Sequence, residues 1–128
     1  MITYLLKVRQ PFRIAMVILY VGCIAALSLL PMQDLPRVPM FRGADKIIHM
    51  MMYTIFSLLF CWAIKSEHNY SRMLLIVLVT VSWGVFMEFL QLEMHRGRSF
   101  SIYDILANFL GVMSGIAIYV LLSLKYKV

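Results

Sequence analysis

IYDILANFLGVMSGIAIYVLLSL, residues 102–124, runs for 23 residues with Asp104 as its one formally charged side chain. As a helix it would rise about 34 Å, slightly more than the roughly 30 Å hydrocarbon core of a bilayer. Three further stretches share this character, at 12–30, 45–64 and 73–92. The connections at 31–44, 65–72 and 93–101 are too short to hold a folded domain. The expected fold is therefore all-α: a polytopic membrane protein, with four transmembrane helices in one compact bundle over 1–128.

Composition argues the same way. The 128 residues are 62% hydrophobic and 14% charged, with a mean hydropathy of +0.86. A soluble domain is about half apolar and about a quarter charged. So few charges could not cover a globule this small, which exposes most of what it owns. The net charge of +6 reads as Lys and Arg anchoring helix ends to anionic headgroups. No nucleic-acid module accompanies it.

Cys23 and Cys61 lie inside apolar runs and read as small hydrophobes. Leu19-Tyr20-Val21-Gly22-Cys23 has a faint lipoprotein-box look, but Tyr20 is bulky and the apolar run continues beyond Cys23. The first helix follows Lys7, Arg9 and Arg13 as a signal peptide would. No small-x-small cleavage site follows, so it reads as a retained anchor. The methionines, Met50-Met51-Met52 included, read as adaptable packing. Trp62, Tyr70, Tyr119 and Tyr126 suit an aromatic belt.

Basic residues alternate unequally between the two sides. One side carries Lys7, Arg9, Arg13, Lys65, Arg72, Lys125 and Lys127, and the other Arg37, Arg42, Lys46, Arg96 and Arg98. Seven against five, with three ahead of the first helix, favours both termini in the cytoplasm. The connection at 31–44 is then external. Pro31, Pro36 and Pro39 favour an extended path there, as a plain connector or a lid.

Polar residues recur at helical spacing on three of the four spans. Asp45, His49, Tyr53 and Ser57 share one face of the second, and Gly84, Glu88 and Gln91 one face of the third. Asp104, Asn108, Gly111 and Gly115 share one face of the fourth. At about 1.5 Å per residue, His49, Glu88 and Asn108 each lie about 6 Å below the external end of their helix. A charge near the bilayer core costs about 3 kcal/mol even on lenient scales. Glu88 should therefore be neutral, paired or in a wet cavity. The expectation is an outward-facing polar pocket floored by Tyr53 and Asn108, with the 93–101 connection and its Arg96 and Arg98 as a roof. Each residue alone has a plainer reading as an interhelical tie, Asp104 as a partner of the helix dipole, and Gly111-x-x-x-Gly115 as a close-packing patch.

The same residues carry a family likeness. Asp45-Lys46-x-x-His49-x-x-x-Tyr53, then Gly84-x-x-x-Glu88-x-x-Gln91, then Arg96-x-x-Ser99 with Asp104-x-x-x-Asn108-x-x-Gly111-x-x-x-Gly115, resembles the VanZ-like membrane proteins. The likeness covers about 44–115, and in outline the whole chain. It implies a multi-pass protein of the bacterial inner membrane, and a namesake that gives low-level resistance to the glycopeptide teicoplanin. It also implies Asp45, Lys46, His49, Tyr53, Glu88, Gln91, Arg96, Ser99, Asp104 and Asn108 as family-typical positions, without catalytic roles.

Three functions fit such a pocket. As an enzyme on a lipid-linked or amphipathic envelope substrate, it would use Glu88 and His49 as acid and base. Arg96 and Arg98 would hold a phosphate or carboxylate, and Asp45, Lys46, Tyr53, Gln91, Ser99, Asp104 and Asn108 would line the ligand. No residue presents itself as a strong nucleophile, so hydrolysis would need water as the attacker. As a binder, the pocket would hold a lipid headgroup or a glycopeptide, or assist a partner enzyme. As a transporter, it would be expected to show inverted repeats and midplane sites, and neither is visible. The remaining alternative is an accessory protein whose polar residues only tie helices together. Asp45 and His49 could grip an ion with Glu88 or Asp104. The usual zinc spacings are missing, however, and Lys46 and Arg96 would repel it, so no metal and no cofactor is expected. Membrane lipid and a lipid-linked or glycopeptide ligand are the expected partners, and the pattern singles out no oligomeric state.

Overall fold

The computed structural model describes residues 7–30, 43–66, 69–94 and 100–126. Among them the long regular elements are four helices: α1 (Gln10–Leu29), α2 (Ala44–Ile64), α3 (Tyr70–Glu93) and α4 (Ile102–Tyr126). All four are long and apolar enough to cross a membrane. The multi-pass architecture read from composition is the one observed.

Local chemistry sets the ends. Pro11 sits in the first turn of α1, where a missing N–H costs nothing. Gly43 precedes α2 at φ 93°, a backbone setting that glycine enters without a Cβ penalty. Helix α3 begins three residues before the apolar run that announced it. Asn69 Oδ1 accepts from Arg72 N at 3.0 Å, and this cap lets the polar Tyr70-Ser71-Arg72 turn become helical.

Paired residues reveal the direction of the helices. Lys46 meets Asp104, His49 meets Asn108, and Cys61 packs with Tyr119. Positions thus rise together, so α2 and α4 run parallel. Their approach is made by glycine. A Cβ on Gly111 would overlap the Met50 carbonyl oxygen, and one on Gly115 would overlap Ser57 Oγ and the Thr54 carbonyl oxygen. The Gly111-x-x-x-Gly115 patch is the close-packing seam its spacing suggested.

Helix α2 approaches the other three closely, whereas the backbones of α1 and α4 do not come close to each other among the described residues. Ile24, Tyr53, Phe56 and Val112 form one apolar cluster, and Cys61, Ile76 and Tyr119 another. The outward residues are greasy, Leu19 at 70% exposure and Leu121 at 66%. Lipid, not water, is the solvent that suits such a surface. Although α1 lacks a polar stripe, it is tied by three polar links. Tyr20 donates to the Met52 carbonyl at 3.0 Å, Arg13 to the Trp62 carbonyl at 2.7 Å, and Gln91 of α3 to the Ser28 carbonyl at 2.9 Å.

Candidate functional site

At the end where α2 and α4 begin and α3 finishes, side chains from the three helices converge. His49 Nδ1 donates to Asn108 Oδ1 at 3.1 Å. Lys46 Nζ stands 3.0 Å from Asp104 Oδ1 and also pairs with Asp45. One ligand atom each from His49, Glu88 and Asp104 lies within 4.8 Å of the others. Glu88 is 1% exposed and Asn108 3%.

The start of α4 explains part of this arrangement. Ser101 Oγ accepts from Asp104 N at 3.3 Å, and Ser101 N donates to Glu88 Oε2 at 3.3 Å. In a capping box, a Glu or Gln three residues into the helix serves the N-cap N–H. Here that carboxylate comes from another helix. Sequence reasoning gave Ser101 no role and missed this contact. The available signal was that the first N–H groups of any helix need outside acceptors, and a buried carboxylate at the same depth can be one.

Tyr53 and Gly84 form the level below. A Cβ on Gly84 would stand 3.1 Å from Asn108 Nδ2 and 3.2 Å from Tyr53 Cε1, so the glycine makes room for both. Tyr53 is itself buried, packed against Phe56 with ring centroids 6.1 Å apart. At the rim, Asp45 is exposed and faces Lys46. Gln91 belongs elsewhere: its amide is engaged with the end of α1. Arg96, Arg98 and Ser99 lie outside the described residues, as do positions 31–42, on which the lid expectation rests.

The electrostatics narrow what this cluster can be. The described residues here hold three carboxylates (Asp45, Glu88, Asp104) against one ammonium, Lys46. Ligand atoms of Glu88 and Asp104 lie within 4.8 Å of each other, and two like charges at that spacing or closer repel by roughly 3 kcal/mol or more at an effective dielectric of about 20. Asp104 is eased by Lys46. Glu88 is the most deeply buried of the three carboxylates, and Ser101 N donates to it. The set can therefore exchange a proton between carboxyl and imidazole, or ligate an ion. The amide of Asn108 supports either role. With its carbonyl oxygen accepting, Nδ1 is the donor nitrogen of His49, which leaves Nε2 to face another partner.

Residues 6–123 match a protein family described as VanZ/LLP1. No curated protein and no solved structure matches. The family match spans all four helices and the converging polar side chains, and it agrees with the likeness carried by the motifs: this chain belongs to the VanZ/LLP1 family.

Proposed function

We propose that the polar end of the bundle is an outward-facing site of the bacterial inner membrane that binds, or acts on, a lipid-linked or amphipathic envelope ligand. The observation that carries this reading is the meeting of His49, Glu88 and Asp104, from three separate helices, within 4.8 Å of one another in a lipid-facing bundle. Ionisable groups inside membrane spans are costly and mark function more often than they mark stability. The depth of His49 and Glu88, about a turn inside their helix ends, suits a headgroup whose tails remain in lipid. Arg96 and Arg98 are three and five residues past the end of α3 at Glu93, and a guanidinium fork suits phosphate or carboxylate. Under the enzymatic form of the reading, Glu88 and His49 exchange the proton and water attacks. Under the binding form, the same groups only hold the headgroup, as would suit the glycopeptide resistance known for the family's namesake.

The competing reading is a scaffold whose polar residues tie helices together. Gln91 on the Ser28 carbonyl and Glu88 on the Ser101 N–H favour it, because both contacts are structural.

Short-chain phosphatidate and the matching diacylglycerol separate these readings when offered to the purified protein. Preferential phosphatidate binding that weakens at least tenfold in the Arg96→Gln/Arg98→Gln double variant supports the site. Equal, weak uptake of both lipids by native protein and variant supports the scaffold. Orientation is tested separately by placing cysteine at Asp45 in a Cys23→Ser/Cys61→Ser background. Labelling of intact spheroplasts with a membrane-impermeant maleimide supports an external site, and labelling only after lysis overturns it.

A further inference from the structure

We propose that His49, Glu88 and Asp104 hold one divalent cation of the first transition row, Mn2+ or Zn2+, so that the site meets its ligand as a metal centre. The inference deepens the reading above, because it assumes that this end of the bundle is accessible to a ligand.

Each of the three side chains comes from a different helix, and their ligand atoms all lie within 4.8 Å of one another. Atoms sharing one ion at bonds of about 2.0–2.2 Å stand roughly 3–4 Å apart, so modest side-chain rotation would bring all three to one ion, with its remaining positions left for water or ligand. The donor set is one imidazole nitrogen and two carboxylate oxygens. Thiolates, which would select softer ions, are far along the chain: Cys61 packs beside Ile76 and Tyr119, and Cys23 is exposed on α1. All-oxygen sets favour Mg2+ and Ca2+, and an imidazole shifts preference toward the transition ions.

One further observation supports the assignment. His49 Nδ1 donates to Asn108 Oδ1 at 3.1 Å, which leaves Nε2 as the nitrogen that would ligate. Metal-bound histidines are held in this way, by a hydrogen bond on the nitrogen that does not ligate.

In the sequence, the missing zinc spacings and the cations Lys46 and Arg96 speak against a metal, and Arg96 lies outside the described residues. The Lys46 ammonium is part-exposed and shared between Asp45 and Asp104. It can turn to Asp45 when an ion takes Asp104. Lys46 therefore acts as a competitor for the site, and this has a measurable consequence.

The test uses the full chain in nanodiscs, stripped with chelator and titrated with Mn2+ and, separately, Zn2+. Elemental analysis gives stoichiometry, and Mn2+ electron paramagnetic resonance gives affinity. The expected result is one ion per chain. Glu88→Gln, Asp104→Asn and His49→Asn should each weaken affinity at least tenfold, and Glu67→Gln, in the connection at 65–72, should stay within threefold of native. Lys46→Gln should tighten affinity severalfold, which ions scattered over surface carboxylates would not show. Glu88→Gln keeps the acceptor for Ser101 N, and an unchanged melting temperature certifies its fold. Less than half an ion per chain, or equal losses in Glu88→Gln and Glu67→Gln, overturns the proposal. Phosphatidate binding measured in excess chelator keeps the two readings apart. If the lipid binds while no ion does, the metal falls and the ligand site stands. If one ion binds but phosphatidate is refused with and without it, the metal stands and the headgroup reading falls.

Discussion

The two ends of this bundle both contain buried charge, and they treat it oppositely. At the end where α2 finishes, the cations meet backbone. Arg13, 4% exposed, donates to the Trp62 carbonyl at 2.7 Å, and its guanidinium carbon lies 5.7 Å from the Trp62 ring centroid. Arg72 donates to the Ile64 and Lys65 carbonyls at 3.0 and 2.9 Å. These are the carbonyls a helix leaves without internal partners, at the negative end of its dipole. The arrangement is a cap. At the opposite end, His49, Asn108, Lys46 and Asp104 meet side chain to side chain across helices, with Glu88 between them and the Ser101 N–H. Charge satisfied by helix-end carbonyls has a structural task already. Charge satisfied by other titratable side chains can change its protonation or exchange its partner for a ligand.

If that contrast is right, substitutions at the two ends should separate stability from function. The largest effect is expected at Glu88. A substitution to Gln preserves the contact with Ser101 and removes the charge. Any turnover of a phosphate-headed amphiphile should fall about 100-fold or more, the scale of general acid–base catalysis, while the melting temperature holds or rises. Turnover that survives unchanged would remove acid–base chemistry from the site. Next comes Gly111→Ala, which drives a methyl group into the Met50 carbonyl. Overpacking of this kind costs about 1–3 kcal/mol, and the parted helices should lower both thermal stability and ligand affinity. Arg13→Met should cost about 2 kcal/mol, as a charge-assisted hydrogen bond is lost, with ligand affinity unaltered in the folded fraction. A matching fall in affinity would break the distinction between the ends. The smallest effect is expected for Asn69→Ala, a loss of about 1 kcal/mol for an N-cap, visible as a lower melting temperature alone.

Sequence reading recovered different layers to different degrees. Four spans followed from composition and run length, because lipid enforces a helix wherever about 20 apolar residues occur together. Convergence of His49, Glu88 and Asn108 at one depth followed from counting residues from each helix end, a count that needs only a regular rise. The contact between Gly111 and Met50 was foreshadowed by the spacing of small residues. The role of Gln91 was not: its stripe position matched Glu88, yet its amide reaches α1, and no pattern on α3 alone identifies a partner 63 residues earlier. Arg13 reads as one of several flanking cations, and its burial beneath Trp62 depends on how α1 leans on α2.

The amino-acid order by itself determined that this chain lives in a membrane, where each span lies, and which polar residues share a level. These properties depend on local run length and helical period, and both are present in one dimension. Which charges face one another was decided only by the tertiary structure. The glycine seam draws parallel α2 and α4 together, and the cross-helix cap of Glu88 on Ser101 ties the end of α3 to the start of α4. A carboxylate becomes a ligand, an acid or a cap according to what lies within a few ångströms of it, and that distance is set by packing between helices.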